Sequence, residues 1–216
     1  RGQEAPAAGL AVETEHLAGH VLVAGYGRVG QTVARIVANQ NIPWLALDLD
    51  ASHVTEARQH DLPVYYGDAS RLDFLRAVHA DTAHVFVIAI EDIERSIRCA
   101  ELLQQHYPHL KIIARARNRS HAYKLMELGI RDVMRDTFDT SVRAAGEVLR
   151  GLGLSEAQVR YTTETFAEMD EQRLFEAFGS HDDLDKMIEM AQQSAGELER
   201  LFAEGHPKDG KPPKKG

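Results

Sequence analysis

From His20 onward, strand-sized apolar runs alternate with amphipathic stretches of helical length, and this rhythm constrains the chain more than any other feature. HVLVAG (20–25), WLALD (44–48), LPVYYG (62–67), HVFVIAI (84–90) and KIIARA (111–116) are short and nearly continuous in apolar residues, the pattern of strands buried on both faces. A further short strand is expected at 132–134. The intervening segments 27–40, 51–60, 71–80, 92–108 and 120–129 carry the helical period. Strands that alternate with such helices form parallel βαβ units, so the expected fold class is α/β: a Rossmann-like, doubly wound parallel sheet of about six strands. After Arg135 the strand signals stop, and helices are expected at 138–150, 155–178 and 182–202. The expected organisation is a linker over 1–18, the sheet domain over 19–150, a helical extension over 151–204 and a disordered basic tail over 205–216.

Within this frame Gly25, Gly27 and Gly30 spell G-x-G-x-x-G between the first strand and the first helix. Gly25 permits a tight turn, Gly27 lets a phosphate approach the backbone, and Gly30 lets helix and strand pack closely. An anion is then favoured on the N–H groups at the helix N-terminus. The second strand ends in Asp48, placed to accept hydrogen bonds from ribose hydroxyls and to repel a 2′-phosphate. NAD(H) or AMP is therefore expected in preference to NADP(H). Asp50 is the rival acid, since LDLD sends both side chains to one face. Gly67 and Asp68 follow the third strand and Glu91 and Asp92 the fourth, at the carboxyl edge where ligands of open parallel sheets bind. Asp92 fits a helix cap equally well.

The bulk properties narrow the function classes. A net charge of -8 over 216 residues argues against broad nucleic-acid binding. No apolar run approaches the roughly 18 residues of a membrane span, and there is no signal-peptide pattern. The chain begins at Arg1 and reads as a piece of a longer protein. Cys99, the one cysteine, excludes an internal disulfide framework and reads as a small buried residue on a helix. His16 and His20 lack the partners of a metal site, so no metal is expected.

A dehydrogenase would need a substrate site and a general acid or base beside the nicotinamide. No Ser/His/Asp arrangement or metal cluster is evident in the sequence, so the chain is read as a binding module rather than an enzyme. An oxidoreductase and a purely structural dimerisation module are the alternatives. Lys111, Arg115, Arg117, Arg119, Lys124, Arg131 and Arg135 concentrate positive charge in an acidic chain. Arg115 and Arg117 stand near the end of the fifth strand, where they either bind an anionic ligand or pair with the acidic helices after residue 155.

VLVAGYGRVGQ, LALDLD, VYYGDAS and IIARARNRSHAYKLMELG together resemble the nucleotide-binding domains that regulate potassium transport, the RCK or KTN (TrkA-N) family. YGDASRLDFLRA, HYPHLKIIARAR and the RDTF after GIRDVM are most similar to the cytosolic C-terminal domain of Kef-type, glutathione-regulated potassium efflux antiporters. The resemblance covers about residues 20–155. It implies a homodimer, bound AMP or NAD(H), a membrane transporter domain in the same chain, and a place at the cytoplasmic face of a bacterial inner membrane. The nucleotide contacts expected on this basis are Gly25, Gly27, Arg28, Val29, Gly30, Asp48, Leu49, Asp68, Ala69 and Arg115. It also implies gating of potassium/proton exchange by glutathione or its adducts, through arginines that match Arg35 and Arg135. The family's asparagine partner aligns with Asp170, a carboxylate that would repel an acidic tripeptide.

Overall fold

The computed structural model describes residues 18–178 together with Leu10, Ala11, Thr14, Gly196 and Arg200. The helix expected at 182–202, the tail at 205–216 and most of the segment 1–18 lie outside these residues. The alternation read from the sequence is present: β1 (Val21–Ala24), α1 (Arg28–Ala38), β2 (Trp44–Asp48), α2 (Ala51–Gln59), β3 (Val64–Tyr66), α3 (Leu72–Ala77), β4 (Val85–Ile88), α4 (Ile93–His106), β5 (Lys111–Ala116), α5 (Arg119–Glu127), β6 (Asp132–Arg135), α6 (Phe138–Gly151) and α7 (Glu156–Phe178).

The strands form one six-stranded sheet in the order β3-β2-β1-β4-β5-β6, with every neighbouring pair parallel. This is the doubly wound arrangement, in which the crossover reverses direction between β1 and β4. Register pairs Val23 with Ala46 and Val87, and Leu22 with Leu45 and Phe86, so alternate residues form two apolar layers. On one face Val21, Val23, Ala46, Val64 and Val87 pack with Ala34 of α1 and Ala57 of α2. Leu22, Leu45 and Phe86, which share the opposite register, are all at most 1% exposed. β3 and β6 are the edge strands, and no residue in β6 is fully buried.

Helix starts are fixed by local chemistry. Asp50 caps α2 by accepting from the Ser52 and His53 amides, Asp92 caps α4 through the Arg95 amide, and Asn118 caps α5 through the His121 amide. α1 has Gly27 at its cap and no side-chain cap hydrogen bond.

The chain divides into two compact units between Asp136 and Thr137, so α6 groups with α7 in the second unit. There Gly146 is buried, its position for a Cβ lying 3.5 Å from a Val159 methyl, and the Phe138 and Phe166 rings stack at 6.3 Å. In the first unit, Leu10 and Thr14 are buried, and the Thr14 hydroxyl is within 2.7 Å of the Ala77 carbonyl it donates to. Those two residues of the expected linker are thus packed rather than free.

Candidate functional site

The glycine loop divides its labour among three positions. Gly25 has φ +95°, and a Cβ there would meet the Ala89 carbonyl oxygen at 2.8 Å. At Gly30 a Cβ would lie 2.0 Å from the Gly25 carbonyl oxygen, so α1 can pack on the end of β1 only without a side chain. A Cβ on Gly27 would meet nothing within 4 Å, which leaves the backbone at the mouth of α1 open to a ligand. Tyr26, between the first two glycines, turns away from that opening and stacks on Trp44 at 6.1 Å with an 8° interplanar angle. The x position therefore anchors the loop in the core.

Asp48 completes the loop. Its Oδ2 accepts from the Tyr26 amide and its Oδ1 accepts from the Asp50 amide at 2.6 Å, with the side chain only 12% exposed. Asp50 instead binds the Ser52 amide, the Ser52 hydroxyl and the His53 amide. The Ser52 hydroxyl, followed by the Ser52 amide, holds the Asp50 carboxyl below the usual carboxylate range. The two acids thus separate: Asp50 serves the helix, and Asp48 spans the glycine loop and the end of β2.

Above these residues lies a cleft of about 610 Å³ over the carboxyl ends of the strands. Gly25, Gly27, Asp48, Leu49, Asp68 and Ala69, six of the residues expected to contact a nucleotide, line it, and Glu91 and Asp92 line it as well. Asp68 is held by a local turn, accepting from the Ser70 amide at 3.0 Å and hydroxyl at 2.7 Å. Arg28, Val29 and Gly30 form the first turn of α1 but are not among the lining residues.

Arg115 is not brought to the lining either. Its guanidinium binds the Asp136 carboxylate through two donors, at 2.5 and 2.7 Å, and Glu91 stands 3.6 Å away. The guanidinium of Arg115 holds the Asp136 carboxyl below the ordinary range, and Asp136 in turn raises Arg115. Arg117 donates to the Glu91 carbonyl at 3.5 Å, and Lys111 pairs with Asp132 at 3.3 Å. Pairing for these three residues lies with β6, the residue that follows it, and the loop after β4.

Arg35, in the last turn of α1, lines a separate cavity of about 350 Å³ with Trp44, Glu56 and His60. Arg135 ends β6, three strands from β1 in the sheet order, and does not line that cavity. Within one chain the two arginines are not gathered into one cavity.

Two ionisable side chains of the cleft escaped sequence reading, His53 and Arg95. His53 Nδ1 is buried without a hydrogen bond and lies 3.5 Å from Asp48 Oδ2. Both residues sit in the first turn of the helix after a strand, a position that the rule for ligands at carboxyl edges could have included. Cys99 is fully buried, and burial pushes its thiol up strongly. His20 is likewise buried, its Nε2 3.0 Å from the Val78 carbonyl, and no metal-ligating group of three or more is found among the described residues.

Residues 21–136 match the TrkA-N domain family, and residues 140–212 match the potassium efflux system KefB C-terminal domain. The glutathione-regulated potassium-efflux system protein KefC of Salmonella arizonae is 34% identical over 176 residues, 81% of this chain and 28% of that protein. KefC of Klebsiella pneumoniae is 33% identical over 84% of this chain, again 28% of the relative. The chain thus spans 28% of the length of these relatives. Among solved structures, the Shewanella denitrificans Kef CTD in AMP-bound form superposes with a TM-score of 0.69 at 38% identity, covering 74% of this chain and 98% of that one. The TrkA-N domain of the inner membrane protein YbaL from Escherichia coli shares the fold, with a TM-score of 0.57 at 22% identity over 62% of this chain and 98% of its own.

Proposed function

The chain belongs to the TrkA-N domain family, and from that premise we propose that it is the nucleotide-binding regulatory part of a Kef-type potassium efflux antiporter, acting on the cytoplasmic side of the membrane. The observation that carries the nucleotide reading is the open backbone at Gly27 facing a cleft that Asp48 also lines. Phosphate would sit on the first-turn amides of α1 and ribose on the free lone pairs of Asp48. AMP, bound in the similar Shewanella Kef CTD, or NAD(H) is the proposed ligand. The Asp48 carboxylate disfavours NADP(H).

Regulation follows if the nucleotide binds two arrangements of a homodimer unequally, because only differential affinity shifts an equilibrium. The attached transporter domain would then read the dimer's state. No described helix is long and apolar enough to cross a membrane, so the transport path would belong to another part of the protein. Glutathione or an adduct would require Arg35 and Arg135 to meet across a dimer, and Asp170 weakens that site for an acidic tripeptide. The function asks for no catalytic group on this chain.

Calorimetry with AMP, NADH and NADPH tests the reading, with Gly27→Asp and Asp48→Ala as variants. Asp is a favourable helix cap, so Gly27→Asp is expected to fold while placing a carboxylate where the phosphate would sit. Asp48→Ala is expected to weaken AMP by about tenfold to a hundredfold, the weight of one or two hydrogen bonds to a charged group. Unchanged affinity in both variants would defeat the proposal.

A further inference from the structure

The cleft has an unusual charge problem for a phosphate site. Asp48, Asp50, Asp68, Glu91 and Asp92 all line it, whereas Arg95 is the one lysine or arginine among the lining residues. A phosphomonoester brings about -1.5 to -2 charges at neutral pH. The N-terminus of α1 offsets only about half a charge. A dipole alone would leave the anion facing a surplus of carboxylates.

Sheet order decides from which side compensation can come. β2 and β4 flank β1, so a ribose held at Asp48 on β2 and a phosphate over the β1 loop leave the β4 side next to the phosphate. α4 starts directly after that strand, and Arg95 lies in its first turn. Asp92 accepts the Arg95 amide at 2.8 Å and holds its carboxylate 3.8 Å from the guanidinium Nε, which keeps the side chain at the cleft rim. On the β4 side the other cations are engaged, Arg115 by Asp136 and Arg117 by the Glu91 carbonyl. Arg95 keeps a side chain that is 44% exposed and can close on a ligand.

Resting on the nucleotide-binding function proposed above, we propose that Arg95 recognises the nucleotide's phosphate, closing on it from the β4 side of the cleft. The planar guanidinium suits a phosphate's paired oxygens, and it supplies the charge that the carboxylate-lined cleft lacks. AMP would present its terminal phosphate and a dinucleotide its pyrophosphate to the same group.

The test compares AMP with adenosine by calorimetry on this 216-residue chain and on its Arg95→Ala and Arg95→Lys variants. The unaltered chain is expected to prefer AMP. Arg95→Ala is expected to lose AMP affinity by about tenfold or more while adenosine affinity is unchanged, and Arg95→Lys to recover part of the loss, the more so at low salt. An AMP-to-adenosine ratio that stays the same in Arg95→Ala overturns the assignment, whether both affinities hold or both fall together. Binding of neither ligand to the unaltered chain would instead remove the nucleotide reading itself, a distinct result. Circular dichroism of each variant confirms that the comparison is between folded proteins.

Discussion

Single atoms separate the three glycines of the loop. Gly30→Ala sets a methyl carbon 2.0 Å from a backbone oxygen that cannot swing aside, so the loop or helix must move. The expected cost is about 3 kcal/mol, the upper end for an overpacked site, seen as a lowered denaturant midpoint. Gly27→Ala meets open space and is expected to change stability by less than about 1 kcal/mol while reducing nucleotide affinity. Stability and binding should therefore divide between two glycines three residues apart. Cys99 gives a second residue-scale test: with its thiol enclosed and held protonated by burial, it is expected to react with a thiol reagent only as the chain unfolds.

Among elements, helix starts and ion pairs across strands carry different jobs. Asp50→Ala removes the cap of α2 and is expected to cost about 1 kcal/mol in thermal or denaturant unfolding. Nucleotide affinity should change far less than in Asp48→Ala, because Asp48 is the acid at the glycine loop. Asp136→Ala leaves the largely buried Arg115 guanidinium without its main partner and is expected to cost about 1.5–3 kcal/mol, the weight of hydrogen bonds to a charged group. The strand and helix order was legible because period and turn residues are local. The ring of partners around Arg115 was not, because Asp136 is 21 positions away and becomes a neighbour only when β6 pairs with β5.

Between pH 7 and pH 5, two buried imidazoles among the described residues contribute a pH dependence to stability. Desolvation lowers the pKa of both His20 and His121 from the usual 6.5. His121 Nδ1 accepts the Arg117 amide at 3.2 Å, which leaves the proton on Nε2 facing the Ser96 hydroxyl at 3.2 Å. As pH falls below 6.5 the unfolded chain gains protons on these histidines that the folded chain does not take up. Stability contributed by the neutral forms is complete above 6.5 and declines as pH drops towards the lowered folded values. A falling melting temperature between pH 7 and pH 5, made shallower by His121→Gln, is the expected result. At fixed pH, saturating AMP should raise the melting temperature in a concentration-dependent way, since a ligand of the folded state alone adds RT ln(1 + [L]/Kd).

The succession of strands and helices, the glycine loop and the acid at the end of β2 were readable from the chain's local patterns, because each depends on residues close along it. Tertiary structure alone decided that β1 lies at the centre of the sheet and that Arg115 is engaged by Asp136. It also decided that His53 and Arg95 face one cleft from opposite sides of the loop. Those outcomes depend on which strands become neighbours, a choice made by burying two apolar layers at once, and no local pattern encodes it.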